Sequence, residues 1–418
     1  MRGRKSYLAL AFALVFLVSS LLSPWAAAGA AQTSLSLGSQ GPAVTELQNL
    51  LKTAGFYPGQ ASGYFGMTTL VALAAFQAAH HLTVTGVAGE AEWDALGEVP
   101  AAPGNGTTVL GYYVNDYPGD VSSYDSVLRY GGDVNYTATV SYGVNSDGSL
   151  SGQVPLQGLD QIKNAGSTPL LLINNLGDSG ADAWSVHALL SSAAATGSFY
   201  SNVLYLVGTY GYKGVNIDFE GLWPQDRDMF SQFLAGLKAQ LQPHGWLLSV
   251  SVPAKTYDDP DDSWAGAYDY AAIGRCADLV ALMTYDQHWY GGPPGPVASL
   301  PWVESVLSYA VSTMPANKIL MGIAAYGYDW SPSATSVVEF KQDGQLAGEG
   351  QIKWDNTSDS PYLYYYSGGV EHVVWFENDS SLAMKLQLVK QYRIAGIAFW
   401  RLGYENDDFW SVVDAYLR

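Results

Sequence analysis

The chain has 418 residues, 48% hydrophobic and 14% charged, enough for two or three globular domains with substantial cores. Its formal net charge of −19 excludes a nucleic-acid binder, whose partner's phosphates demand a basic face, and gives no attraction to an anionic cell surface. A single cysteine, Cys276, excludes an internal disulfide framework, and its neighbours Ile273, Ala277, Leu279 and Val280 make it a small buried hydrophobe.

Arg2, Arg4 and Lys5 precede an apolar run from Tyr7 to Leu22, followed by Pro24 and a small-residue stretch to Ala30. That order of charge, short apolar run and small residues predicts a signal peptide over residues 1–30, cleaved before Ala31. The run is short for a membrane span and no cysteine follows it for a lipid anchor. The expectation is a secreted monomer that keeps no membrane association after cleavage.

Residues 31–98 read as a separate three-helix unit. Leu47, Leu50, Leu51 and Phe56 fall at helical spacing, as do Leu70, Leu73 and Phe76, with Gly55, Gly63, Gly66 and Gly86 at the turns. The runs Leu37-Gly38-Ser39-Gln40-Gly41, Gly63-Tyr64-Phe65-Gly66 and Ala75-Phe76-Gln77 resemble the peptidoglycan-binding type-1 domain over the whole unit. Ser62 departs from the family's usual Asp. The resemblance implies a cell-wall ligand; a helical spacer that binds nothing is the alternative. His80 and His81 are adjacent, so their side chains diverge on a helix and share no metal.

Residues 99–108, rich in Pro, Gly, Asn and Thr, have linker chemistry. From 109 to 418 short apolar strands alternate with amphipathic helices, the pattern of a parallel α/β fold. Strands are expected at Val109–Asn115, Thr137–Tyr142, Pro169–Asn174, Gly214–Glu220, Leu247–Val252, Leu279–Tyr285, Ile319–Ala325 and Gly396–Leu402. Eight strand-helix units predict a (β/α)8 TIM barrel, with its site at the C-terminal strand ends. Residues 331–378, between strand seven and the last helix, are too long for a loop and contain the alternations Tyr362-Leu363-Tyr364-Tyr365-Tyr366 and Val373-Val374-Trp375. A small α+β insertion is expected there.

The chemistry centres on Gly214-Val215-Asn216-Ile217-Asp218-Phe219-Glu220-Gly221. On a strand, Val215, Ile217 and Phe219 share one face, while Asn216, Asp218 and Glu220 share the other. An amide and two carboxylates in a row are costly against dry core and fit a polar cavity, where carboxylates at i and i+2 raise one another's pKa. That suits a general acid working near neutral pH.

This stretch resembles the strand-four signature of glycoside hydrolase family 18, Asp-Gly-x-Asp-x-Asp-x-Glu, with Lys213 and Asn216 at its first two Asp positions. Met283-Thr284-Tyr285-Asp286 on strand six resembles the family's Met-x-Tyr-Asp motif, and Ala398-Phe399-Trp400 its strand-eight Trp. The continuation through Trp289 and Pro301-Trp302-Val303 is close to the spore-wall members. The resemblance implies retaining hydrolysis with the substrate's own 2-acetamido group as nucleophile. Glu220 would be acid and then base, Asp218 would orient the acetamido nitrogen, and Tyr285 would donate to the acetamido oxygen. Trp400 would form a platform under the sugar, with Asn216 and Met283 beside it and Tyr112, Asp286, Trp289 and Tyr326 as further lining candidates. For those last four, packing is an equal reading.

Asn216, and Leu172-Ile173-Asn174-Asn175 where chitinases keep Ser-x-Gly-Gly, tilt the substrate toward peptidoglycan or spore cortex. A chitinase or chito-oligosaccharide hydrolase and a non-catalytic carbohydrate-binding barrel are the alternatives. No cofactor is called for: Gly291-Gly292 lacks a phosphate loop's strand-turn-helix context, and His187, His244, His288 and His372 are too scattered for a metal.

Overall fold

The computed structural model describes residues 34–57, 60–80, 82–97, 107–177 and 180–418. The expected signal peptide, His81 and most of the expected linker lie outside the described residues.

Helices Pro42–Thr53, Met67–Ala79 and Glu90–Gly97 form the N-terminal unit around Val44, Leu47, Leu51, Phe65, Leu73, Phe76 and Trp93. Two buried glutamines tie its turns. Gln48 Oε1 accepts from the amides of Ser62 (2.8 Å) and Gly63 (2.9 Å), while its Nε2 donates to Thr69 Oγ1 (2.9 Å). Gln77 repeats the device one turn later, accepting from Thr85 and Gly86 and donating to Glu92. Each amide thereby satisfies loop backbone that burial would otherwise leave unpaired.

All eight expected barrel strands form: β1 Thr108–Tyr113, β2 Tyr136–Val144, β3 Thr168–Asn174, β4 Gly214–Asp218, β5 Leu247–Pro253, β6 Leu279–Met283, β7 Ile319–Ala324 and β8 Gly396–Trp400. Neighbours pair in parallel, and β1 pairs with both β2 and β8, which closes the barrel. Val215, Ile217 and Phe219 point outward into the shell shared with helices such as Arg227–Leu241, and Phe219 meets Phe199, Phe230 and Phe233 at 6.0–6.2 Å. A second cluster, including Leu110, Leu170, Leu172, Ala281, Leu320 and Ala398, fills the barrel interior. Residues 219–220, 284–285 and 401–402, expected as strand, lie just beyond the ladders, where backbone is free to turn side chains over the barrel mouth.

The insertion is a five-stranded antiparallel sheet built from Tyr326–Trp330, Thr335–Glu339, Lys353–Asp355, Ser360–Ser367 and Val370–Trp375, with helix Asp343–Glu349 against it. It begins at Tyr326 rather than at residue 331, directly after β7. It lies between β7 and helix Asp379–Tyr392, and one further helix, Asp407–Leu417, follows β8. Where the lobe returns to the barrel, Glu377 and Lys385 form a buried ion pair at 2.8 Å, and Ser381 donates to Glu377 (2.6 Å).

Candidate active site

The period of β4 places Asn216 and Asp218 inside the barrel. Asn216 lies opposite Ser249 of β5, and Asp218 opposite Asn174 of β3. Asn216 Nδ2 donates to Ser249 Oγ (2.9 Å), and its Oδ1 accepts from Ser251 Oγ (3.1 Å). Ser251 Oγ also shares a hydrogen bond with the Tyr112 hydroxyl (3.0 Å). One polar network therefore joins β1, β4 and β5 in the barrel floor.

Asp218 stands above that network. Its Oδ1 is buried without a hydrogen-bond partner among the described residues. Burial pushes its pKa up to about 6, with the nearby Ser251 hydroxyl as a smaller, lowering influence. Glu220 is pushed further, to about 8, by burial first and then by the charges of Asp218 and Asp286. The expected raised acid is thus Glu220.

Its backbone is clamped. Asn175 Oδ1 accepts from the Glu220 amide (2.7 Å) and Asn175 Nδ2 donates to its carbonyl (2.9 Å). Tyr268 donates to the Phe219 carbonyl (2.7 Å). Gly221 then turns the chain at φ +60°, where a side chain is strained and a β-carbon would lie 3.2 Å from Ala181 and 3.5 Å from Trp264. A general acid needs this fixity more than it needs length.

Tyr285, just past β6, is half-buried, and its hydroxyl stays protonated because burial raises its pKa well above the usual value, helped by Tyr112, Asp218, Asp286 and Glu220. Gly322 of β7 makes room: a β-carbon there would lie 2.9 Å from the Tyr285 ring and 2.3 Å from the Leu282 carbonyl. Asp286 has φ +57° and accepts hydrogen bonds from Tyr326 (2.6 Å) and Tyr328 (2.9 Å). Trp400 ends β8 with its ring 5.4 Å from that of Tyr112.

The fold thus brings Asp218, Glu220, Tyr285, Asp286, Tyr112, Trp400 and Tyr326 to one end of the barrel. Met283, half-buried, ends β6 beneath Tyr285. Asn216 requires a correction: it is fully buried, with its amide engaged by two serines, so it supports the floor and does not line the substrate's path. Trp289 is exposed on the loop after β6, packed edge-on against Tyr290 (5.3 Å). Ser249, Ser251, Asn175 and Tyr328 were not singled out as site residues from the sequence. Period two on β5 and on the segment from Tyr326 is the signal that could have found Ser249, Ser251 and Tyr328. Asn175 carries no such signal, because only the fold places it beside Glu220.

Among the described residues no group of three or more His, Cys, Asp and Glu side chains is placed to hold a metal ion. What the arrangement offers is a proton on Glu220 at neutral pH, an ionisable carboxylate beside it, a phenol donor and an apolar ring. Those groups can protonate a leaving oxygen and stabilise charge developing next to it.

Comparisons with known proteins agree with this geometry. Residues 111–405 match the description "Glycosyl hydrolases family 18", and residues 40–96 match a peptidoglycan binding domain. The chain is 33% identical over 290 residues to the cortical fragment-lytic enzyme of Bacillus anthracis, covering 66% of this chain and 67% of that protein. The crystal structure of the Bacillus cereus spore cortex-lytic enzyme SleL superposes with a TM-score of 0.70 at 28% identity, covering 75% of each chain. That of a chitinase from Chromobacterium violaceum gives 0.68 at 32% identity, covering 74% of this chain and 98% of the other.

Proposed function

The chain belongs to family 18 of the glycosyl hydrolases and is a glycosidase, and from that premise we propose that it is a secreted enzyme that hydrolyses peptidoglycan or spore cortex at N-acetylglucosamine. The observation that carries this reading is a half-buried, backbone-clamped Glu220 held protonated beside Asp218 at the mouth of a barrel whose chain also carries a peptidoglycan-binding unit.

Glu220 protonates the departing glycosidic oxygen while the substrate's acetamido oxygen closes on the anomeric carbon from the other face. Tyr285 donates to that oxygen, and ionised Asp218 accepts from the acetamido N–H and offsets the positive charge of the oxazolinium ion. Glu220, now a carboxylate, takes a proton from the water that opens the ring, so configuration is retained. Trp400 supplies the apolar surface beneath the sugar. The signal peptide over residues 1–30, a linker over 99–108 and a barrel domain over 109–418 complete the proposed organisation of a monomer that acts at the wall or the spore.

A chitinase is the second reading, favoured by the likeness to the Chromobacterium violaceum enzyme. Mass spectrometry of products from spore cortex, vegetative peptidoglycan and chitin oligomers separates the two. Fragments ending in reducing N-acetylglucosamine from a wall substrate, with chitin intact, support the proposal. Cleavage of chitin alone transfers the enzyme to the chitinases, and no product from any of the three makes the barrel a non-catalytic binder.

A further inference from the structure

The lobe's sheet has two unlike faces. One carries Leu363 and Val374 and packs on helix Asp343–Glu349 through Leu346, Val338 and Phe376. The other begins in the site, where Tyr326, Tyr328 and Trp330 form a buried cluster against which Tyr285 and Trp400 pack. From there the ladder carries aromatic rings outward. Tyr328 pairs with Trp375, and Trp375 pairs with Tyr362. Tyr362 stacks on Trp375 at 4.8 Å and 19°, and Tyr364 meets Tyr362 edge-on at 5.7 Å. Tyr366 comes next on the same face, about 7 Å along by strand geometry. Exposure rises along this row from 6% at Tyr328 to 45% at Tyr364 and 70% at Tyr366.

Rings so exposed add little to folding, and a contiguous aromatic strip that leads out of a catalytic site marks a binding surface. A tyrosine offers an apolar face with a polar rim, which matches the apolar faces and hydroxyl rims of pyranose rings. Continuity with the site selects the occupant. We propose that Tyr362, Tyr364 and Tyr366 form a second glycan-binding track, which takes the polysaccharide strand where it leaves the cleft. The inference rests on the glycan-hydrolase reading above and adds to it a surface that acts on long strands only.

The test compares insoluble peptidoglycan with a soluble tetrasaccharide cut from it. Tyr364→Ala/Tyr366→Ala should raise the half-saturating amount of peptidoglycan roughly tenfold, the loss of two ring contacts, while kcat/KM on the tetrasaccharide stays within about twofold. Tyr366→Ala alone, at a solvent-exposed position that cannot unfold the lobe, should move the same way by a smaller factor. An unchanged polymer requirement overturns the track, as does an equal loss on both substrates. Concentration-dependent dimerisation of the wild type that the double variant abolishes would give the face to a second copy and also overturn it. If the wild type cleaves neither substrate, the hydrolase reading fails. Co-sedimentation of Glu220→Gln with peptidoglycan, with and without the two tyrosine substitutions, then still decides the track: equal sedimentation sinks it.

Discussion

At the residue scale the consequences centre on the two carboxylates. Glu220→Gln keeps size and hydrogen-bonding capacity but removes the transferable proton, so turnover should fall by roughly 10²-fold or more with the thermal transition intact. Near-normal turnover would remove Glu220 from its role. The pH profile follows from the same pair. The proposed mechanism uses Asp218 ionised and Glu220 protonated, so kcat/KM should rise through about 6 and fall through about 8, values that belong to the pair as a unit. Stability runs differently. Both pKa values are higher folded than unfolded, so the native state binds more protons, and stability present near pH 4 is lost as pH rises through the folded values. Asp218→Asn removes one of these groups, so its unfolding free energy should exceed the wild type's by a margin that grows as pH rises from about 4 through about 6, reaching roughly 2–3 kcal/mol. A constant margin in thermal melts would contradict the burial argument.

At the element scale, β4 works because one strand serves two environments. Its outward row locks onto the helices, while inward-facing Asn216 is satisfied from β5 by Ser249 and Ser251, and Ser251 in turn is tied to Tyr112 of β1. The lobe is joined to helix Asp379–Tyr392 by a different device, the buried pair of Glu377 and Lys385. Lys385→Met leaves a buried carboxylate unpaired and should cost about 3–5 kcal/mol in urea denaturation. Adding Glu377→Leu should recover most of that loss, because the cost lies in the orphaned charge and not in the missing attraction. If the double variant is no more stable than the single one, the pair has a further structural role.

At the scale of the whole molecule, the N-terminal unit has its own core and its own buried glutamine staples. A fragment of residues 32–98 should therefore fold alone and co-sediment with purified cell wall. Sedimentation no greater than that of an unrelated control protein would make the unit a spacer. The catalytic chain and this unit would then need the lobe's tyrosine row to hold insoluble substrate.

Much of this was legible before any coordinates. Short apolar runs located all eight barrel strands, because a parallel strand covered on both faces is written as a near-continuous hydrophobic run. Period two on β4 assigned Asp218 and Glu220 to the inner face, and the motifs around Tyr285 and Trp400 put the remaining chemistry on β6 and β8. Contacts between residues far apart in the chain were decided only by tertiary structure. Asn216 looked like a substrate ligand because its face was known but its depth was not; two serines from β5 bury it. Asn175 becomes the clamp on Glu220 only once β3 lies beside β4. The rising exposure from Tyr328 to Tyr366 exists only across a ladder. Periodicity reports which way a side chain points, while burial and charge coupling depend on what the closed barrel and its lobe place opposite it.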